Sequence, residues 1–259
     1  MRGDTLRCER EGEIGHLVLD RPAVLNAVNQ RMTLELDAAL REIGADAGVR
    51  VLVVKGEGRG FCSGLDLREA AARAIDRQGQ DEQPTSPWFR ALDLLEKLDK
   101  LTIASIHGPC LGSGLELALG CDFRIAEEAA VFSMPQVLYG GVAEGGPAYR
   151  LPQLVGLAKA KEILLLGERF DAREAMRLGL LYRVVPRAEL EGETQRLAHR
   201  CLALGSSAAL AVKRLLREFA LPDSERLGRE IGRVVQDSAR AGDFAESMRS
   251  YAARHRPRV

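Results

Sequence analysis

One carboxylate in the sequence has neighbours that would change its chemistry. Glu116 stands in the apolar segment 115–119, two residues after Gly114. A carboxylate withdrawn from water has a raised pKa, which brings it into the range where general acid–base catalysis is efficient. The alternative is that Glu116 lies in the first turn of a helix and only complements the helix dipole. Glu116 is therefore a candidate catalytic residue.

Two glycine-rich turns each follow an apolar run that is typical of a buried strand. The predicted strands are residues 49–55 and 102–107, and the turns are residues 56–60 and 108–114. The first N–H groups of a helix have no intrahelical acceptor, and the helix dipole adds positive charge there. Two such helix starts that converge on one point would form an oxyanion hole. Glycine-rich turns are also common without this role, so the pattern alone leaves both interpretations open.

The elements that must position these groups alternate between strands and helices. Apolar patterns predict further strands at 6–10, 15–20, 123–126 and 181–185, and helices at 29–43, 115–119 and 157–166. A capping box at 171–174 opens another helix, and from about residue 189 only helical patterns occur. A surface loop is predicted at about 78–87. This alternation indicates an α/β fold with parallel strands.

Composition excludes several classes of protein. Lys plus Arg and Asp plus Glu both number 37, so the formal net charge is zero, which argues against nucleic acid or an anionic membrane as a partner. The basic stretch 254–258 is interpreted as a solvated tail. The five cysteines are scattered and show no metal-ligand or disulfide pattern, so we expect no metal site. Neither a signal peptide nor an apolar run of about 18–20 residues is present, and a cytoplasmic location is expected.

Three segments together are similar to motifs of the crotonase (enoyl-CoA hydratase/isomerase) superfamily. They are residues 20–27 (DRPAVLNA), 61–67 (FCSGLDL) and 107–118 (HGPCLGSGLELA), in the family's order and spacing. The resemblance covers nearly the whole chain. It implies a spiral of ββα turns in residues 1–195 and a C-terminal helical trimerisation region in residues 196–259. A homotrimer or homohexamer is the implied assembly.

The resemblance also implies an acyl-CoA substrate, with coenzyme A as part of the substrate and no separate cofactor. The oxyanion-hole donors would be the backbone N–H groups of Leu65 and Ser113. A glycine is common in the family where Ser113 stands, but the backbone N–H is unaffected by the exchange. A structural role for Ser113 as a helix N-cap is compatible with this one. The residues expected to contact coenzyme A are Ala23, Val24, Leu25, Ser63, Leu65, Asp66, Leu67 and Arg68.

The same resemblance gives three residues for the catalytic centre. Glu116 matches the first catalytic glutamate of the hydratases, and Gln136 occupies the position of the second. An amide cannot take up and release a proton as a carboxylate does, so standard hydration is in doubt. Glu144 stands where dienoyl-CoA isomerases carry an aspartate, although those enzymes also keep an acid where Gln136 stands. A Glu116/Glu144 pair is the favoured interpretation, and a surface charge on a loop is the alternative for Glu144.

The expected activity is therefore double-bond isomerisation or an atypical hydration of an acyl-CoA thioester. The alternatives are a standard 2-enoyl-CoA hydratase despite Gln136, a non-catalytic RNA-binding protein on the same fold, and an inactive oligomer partner. Trp88 and Phe89 either line the acyl pocket or belong to the core or a trimer interface. The segment from about Glu69 to Trp88 is expected to form a pocket loop, and its sequence leaves the acyl chain undefined.

Overall fold

The computed structural model describes residues 2–76, 85–220 and 223–254. The strands are β1 (Leu6–Glu11), β2 (Ile14–Leu19), β3 (Val51–Gly56), β4 (Leu101–Ile106), β5 (Pro109–Leu111), β6 (Phe123–Glu127), β7 (Val131–Ser133), β8 (Phe170–Asp171) and β9 (Arg183–Val185). The helices are α1 (Gln30–Ala45), α2 (Leu67–Asp76), α3 (Pro87–Lys97), α4 (Ser113–Leu119), α5 (Pro147–Leu166), α6 (Ala172–Arg177), α7 (Leu190–Leu202), α8 (Ser206–Ala220), α9 (Ser224–Ala241) and α10 (Asp243–Arg254). Short 3₁₀ helices occupy Pro22–Val24, Pro135–Tyr139 and Arg187–Glu189.

Two sheets organise the core. The larger has the order β1-β2-β3-β4-β6-β9 and is parallel except for the hairpin of β1 and β2. The smaller has the order β5-β7-β8. From β4 onward the chain passes from the larger sheet to the smaller one and then into a helix, and β6 and β7 repeat the passage. The predicted α/β fold built as a spiral of ββα turns is confirmed.

Central strands are covered on both faces. All positions of β2 and β4 are buried. In β3, Leu52 and Val54 face a large apolar cluster that includes α1, α3 and α4, whereas Val51 and Val53 face a second cluster closed by α7. This alternation follows from the two-residue period of a strand, and continuous apolar runs are expected where both faces are covered. Among the described helices, none combines the length and apolarity that a membrane-spanning segment requires.

Several local predictions needed correction. The predicted pocket loop from Glu69 to Trp88 is wrong at both ends, because α2 extends to Asp76 and α3 begins at Pro87. The capping box is half formed: Oδ1 of Asp171 accepts from the N–H of Glu174 at 2.8 Å, but the Glu174 carboxylate pairs with Arg177. Residues 78–84 of the predicted surface loop and residues 255–258 of the predicted basic tail lie outside the described residues.

One predicted helix was too short, and three short strands were not predicted. The predicted helix 157–166 is the second half of α5, which starts at Pro147 and is interrupted at Gly156, where φ is 76°. Strands β5, β7 and β8 were missed because two or three residues are too short to show a period.

The C-terminal helices α9 and α10 pack against earlier parts of the chain. Helix α10 packs against α2 and against the 3₁₀ helix Pro135–Tyr139. The hydroxyl of Ser238 donates to the carbonyl of Gly140 at 3.2 Å, which ties α9 to the segment before α5. Helix α8 exposes apolar side chains, and Phe219 is 87% exposed. The trimerisation role expected for this region stays a prediction.

Asn26 joins the segment before α1 to the turn after β3. It is fully buried in a left-handed conformation with φ of 56°. Its Nδ2 donates to the carbonyl oxygens of Glu57 at 2.9 Å, Gly60 at 2.8 Å and Phe61 at 3.2 Å, and its Oδ1 accepts from the N–H of Arg21 at 2.8 Å. The side chain therefore holds together backbone groups that no strand pairs.

The Asn26→Asp variant is expected to lower the free energy of unfolding by about 3 kcal/mol, because a carboxylate would face carbonyl oxygens that have lost their donor. Urea denaturation measures the change. The matched control is Asn29→Asp at the N-cap of α1, where the side chain only accepts, from the N–H of Met32 at 2.9 Å. Aspartate caps a helix as well as asparagine, so the control should stay within about 0.5 kcal/mol of the natural protein. Equal stability of both variants would contradict this role of Asn26.

Candidate active site

Two segments, which we call the first and the second corner, follow neighbouring strands and adjoin or overlap the predicted glycine-rich turns 56–60 and 108–114. The first, residues 61–65, follows β3, and the second, residues 107–113, follows β4. They run side by side: the N–H of Cys62 donates to the carbonyl of Pro109, and the N–H of Leu111 donates to the carbonyl of Cys62, both at 2.9 Å. At Gly64 φ is 94°, and a Cβ there would lie 2.8 Å from the carbonyl oxygen of Leu111. Only glycine allows so close an approach of the two corners.

The N–H groups of Leu65 and Ser113 are the predicted oxyanion-hole donors. Val28 and Leu65 form a parallel bridge, in which the hydrogen bonds of Val28 go to Gly64 and Asp66 on either side of Leu65. The N–H of Leu65 is therefore directed away from Val28. Ser113 is the first residue of α4, whose first internal bond runs from Glu116 to Gly112 at 2.9 Å. Neither N–H has an acceptor within residues 2–76, 85–220 and 223–254.

The suggestion that Ser113 is a helix N-cap is wrong. Gly112 occupies that position with φ of 49°, and no side chain caps α4. The N–H of Ser113 is thus one of the outward-facing donors of a helix start. Leu65, at the other corner, is 43% exposed, so the region is open to solvent on this side.

The carboxylate of Glu116 is withdrawn from solvent, as its apolar neighbours predicted. The residue is 1% exposed. Its Oε2 accepts from Nε1 of Trp88 at 2.7 Å, and its Oε1 accepts from Nε2 of Gln136 at 3.3 Å. Burial raises the pKa of Glu116 to about 7, although the Trp88 hydrogen bond acts in the opposite direction. Near neutral pH the group is divided between its ionised and neutral forms, which suits proton transfer.

Glu144 lies at the same site rather than on an outer loop surface. It is half-buried, and its Oε2 accepts from the hydroxyl of Ser86 at 2.7 Å. Its negative charge contributes to the raised pKa of Glu116. The next residue, Gly145, lies directly against Glu116, since a Cβ on it would be 2.7 Å from Oε2. The segment before α5 therefore brings a second carboxylate to the first.

Arg150 holds the segment before α5 in place through hydrogen bonds. It is 6% exposed, and its Nε and Nη2 each donate to Glu96 at 2.7 Å. Its Nη1 donates to the carbonyl of Gly145. The guanidinium charge opposes the rise in the pKa of Glu116. Sequence reasoning missed Arg150, because its partner Glu96 is 54 residues away and no local pattern connects them.

Gln136 lies between the second corner and Glu116. A Cβ on Gly112 would be 3.4 Å from its Nε2, the same atom that donates to Glu116. Its Oε1 is buried and accepts no hydrogen bond within the described part of the chain. The amide therefore supports the Glu116 carboxylate with one end and offers an acceptor with the other.

The segments predicted to contact coenzyme A lie next to each other. The hydroxyl of Ser63 donates to the carbonyl of Val24 at 3.2 Å, and the N–H of Ser63 donates to the carbonyl of Leu25 at 2.9 Å. Ala23, Val24 and Arg68 are exposed beside them. The structure brings these residues together at the mouth of the first corner, and their contact with coenzyme A stays a prediction.

Asp66 and Leu67 have structural roles at the same place. Asp66 Oδ2 pairs with Nη1 of Arg21 at 3.0 Å, and its Oδ1 accepts from the N–H of Arg68 at 3.2 Å. Leu67 is the first residue of α2. These contacts fix the entry into α2.

The aromatic residues and cysteines near the site are buried. Trp88 and Phe89 belong to the core, and Trp88 also bonds Glu116, a contact that the sequence did not reveal. Burial raises the pKa of the Cys62 thiol to about 12 and that of Cys110 well above its usual value. A thiol that stays protonated is a poor nucleophile. Glu116 and Glu144 thus remain the candidate acid–base groups at this site.

Comparisons with known proteins agree with this geometry. A family model described as enoyl-CoA hydratase/isomerase matches residues 9–258. The crotonyl-CoA hydratase of Syntrophomonas wolfei is 34% identical over 87% of this chain and 86% of its own length. The peroxisomal Delta(3,5)-Delta(2,4)-dienoyl-CoA isomerase of Arabidopsis thaliana is 33% identical over 81% of this chain and 78% of its own length.

A solved structure has the same fold. The enoyl-CoA hydratase/isomerase of Pseudoalteromonas atlantica superposes with a TM-score of 0.85 at 25% identity, covering 99% of this chain and 100% of that one. The family model spans both corners, both carboxylates and the C-terminal helices. The chain therefore belongs to the enoyl-CoA hydratase/isomerase family, enzymes that act on CoA thioesters as lyases or isomerases.

Proposed function

We propose that this enzyme moves a double bond in an enoyl-CoA thioester by proton transfer between Glu116 and Glu144. The observation that carries the proposal is the second carboxylate at the site. Glu144 lies close enough to raise the pKa of Glu116. The amide of Gln136 donates a hydrogen bond to Oε1 of Glu116. Gln136, which lies between Glu116 and the second corner, cannot exchange a proton, and this supports Glu144 as the second acid–base group.

The first step is the binding of the thioester carbonyl between the N–H groups of Leu65 and Ser113. Loss of a proton from the α carbon places negative charge on that oxygen, and fixed donors stabilise it. A single donor of this kind contributes roughly 10²–10³ in rate. The start of α4 contributes its dipole at the same point, since Ser113 is its first residue.

Proton transfer then relocates the double bond. Ionised Glu116 takes a proton from the α carbon of a 3-enoyl thioester. The electrons of that C–H bond form a double bond between the carbonyl and α carbons, and the carbonyl π electrons move onto the oxygen, which gives a dienolate. A proton delivered to the γ carbon completes the 2-enoyl product, with no atom gained or lost. The α and γ carbons are separated by two bonds, so a second acid is useful at the far carbon. Glu144, held by Ser86 beside Glu116, takes that role when it carries a proton, and the proton left on Glu116 returns to Glu144 through solvent before the next turnover.

Atypical hydration is the second candidate, and one observation favours it. The Oε1 of Gln136 is a buried acceptor that no described residue uses, and Nε2 of the same amide bonds Glu116. In this reaction a water molecule donates to Oε1 of Gln136, adds its oxygen to the β carbon and gives its other proton to Glu116, which returns a proton to the α carbon. The amide would orient this water without taking its proton, so we expect hydration to be slower than isomerisation.

Assays of the purified protein with 3-enoyl-CoA and 2-enoyl-CoA test the proposal. We expect isomerisation to exceed hydration, and kcat/KM to rise with pH through about 7 as Glu116 ionises. The Glu116→Gln variant keeps the shape of the side chain and should lower kcat by roughly 10²–10⁴. Glu128→Gln, the same change at an exposed residue away from the site, is the matched control. Hydration faster than isomerisation, or full activity of Glu116→Gln, would refute the proposal.

Two further variants should change the product ratio in opposite directions. Gln136→Glu supplies the second hydratase carboxylate, so hydration should rise at least about tenfold relative to isomerisation, in line with the contribution of one acid–base group. Glu144→Gln removes the second acid and should lower isomerisation by about 10²-fold. Chromatography of the 3-hydroxyacyl and enoyl products measures both rates in one sample. An unchanged ratio in both variants would show that neither residue decides the reaction.

A further inference from the structure

The start of helix α3 contacts both candidate catalytic carboxylates. Ser86 is the N-cap of α3: its hydroxyl oxygen accepts from the N–H of Trp88 at 3.2 Å and donates to Glu144 at 2.7 Å. Trp88 donates from Nε1 to Oε2 of Glu116 at 2.7 Å. Pro87 follows the cap directly, where its fixed φ suits a helix start. One rigid turn therefore touches Glu116 and Glu144 at once.

We propose that Trp88 is a positioning residue for Glu116, holding Oε2 so that Oε1 is the oxygen that exchanges protons with the substrate. The inference rests on the proposed function only in taking Glu116 as the base. The contact itself is buried, since Trp88 is 6% exposed and Glu116 is 1% exposed.

The chemistry of the indole group supports this assignment. An indole N–H donates and cannot accept, so Oε2 cannot carry a proton toward Trp88. When Glu116 is neutral, Oε1 is the better site for its proton, because the donor to that oxygen, Nε2 of Gln136, is farther away than the indole N–H is from Oε2. The bond at Oε2 is also shorter than the 3.3 Å bond from Gln136 to Oε1, so Oε1 is the less firmly held oxygen. A hydrogen bond to an ionised carboxylate is stronger than one to a neutral acid, so Trp88 also favours the ionised base.

The other charged groups around Glu116 act differently from Trp88. Glu144, from the segment before α5, raises the pKa of Glu116, and Arg150, from α5, lowers it. The thiol of Cys62 in the first corner stays neutral, because burial raises its pKa to about 12. Trp88 is uncharged, so its loss would change the pKa of Glu116 through the hydrogen bond rather than through a charge.

The chain contains a single tryptophan, which gives a direct readout. Emission of an indole group depends on the charge of the acceptor that its N–H bonds. Tryptophan fluorescence of the natural protein should therefore titrate between pH 5 and pH 9 with a midpoint near 7, and the titration should vanish in Glu116→Gln. This measurement needs no turnover, so it tests the contact even if the proposed reaction is wrong.

The kinetic test uses Trp88→Phe, which keeps an aromatic ring and removes the donor. Because the hydrogen bond lowers the pKa of Glu116, its loss should move the rise of kcat/KM to higher pH by about one unit, the value of a bond worth about 1.4 kcal/mol. At pH 7 kcat/KM should fall about fivefold, and most of that loss should be recovered at pH 9. Leu95→Val, a buried change on the same helix with no hydrogen bond to Glu116, should leave the pH profile unchanged.

The outcomes separate the two proposals. No turnover in the natural protein refutes the proposed function, whereas the fluorescence titration still decides the role of Trp88. An emission that is independent of pH, or that still titrates in Glu116→Gln, overturns the positioning role. A Trp88→Phe variant whose activity falls equally at all pH values also overturns it, because a purely structural loss has no reason to follow the ionisation of Glu116.

Discussion

The Glu116 carboxylate is buried among apolar groups, and its ionised form depends on the few polar groups that reach it. A shift of the pKa from 4.5 to about 7 corresponds to about 3 kcal/mol of lost stabilisation of the ionised form. Trp88, Gly145 and Arg150 limit that loss, and each comes from a different element. The start of α3, the segment before α5 and α5 itself must therefore converge on one residue of α4. Much of the fold around the site follows from this requirement.

The second constraint is the space available to the backbone. Side chains at Gly64 and Gly145 would overlap the Leu111 carbonyl and the Glu116 carboxylate, respectively, at less than 3 Å. Glycine at these positions lets the two corners and the loop approach each other. The corners follow neighbouring parallel strands, β3 and β4, so they emerge from the same edge of the sheet. A parallel sheet thus supplies the close pair of chain segments that carry the N–H groups of the proposed oxyanion hole.

Local patterns predicted the parts of the molecule that local interactions determine. The apolar period gave β3, β4 and α1, and the apolar surroundings of Glu116 gave its burial. The contacts of Glu116 with Trp88, of Glu144 with Ser86 and of Arg150 with Glu96 join residues 28, 58 and 54 positions apart. No periodicity encodes such pairs, since they arise only when separate elements pack. The roles of Leu65, Ser113 and Gln136 came from the family resemblance and stay predictions.

The amide at position 136 is consistent with the acid at position 144. Burial already raises the pKa of Glu116, the charge of Glu144 adds to the rise, and a carboxylate at position 136 would raise it further. Gln136 instead donates to Oε1 of Glu116, so it supports the ionised form at a point where an acid would repel it. If Glu144 is the second acid, as we propose, an amide at position 136 keeps Glu116 available as a base near neutral pH. Gln136 and Glu144, the two departures from the hydratase pattern, then have one physical explanation. The second proton-transferring group is at position 144, and position 136 holds a hydrogen-bond donor instead.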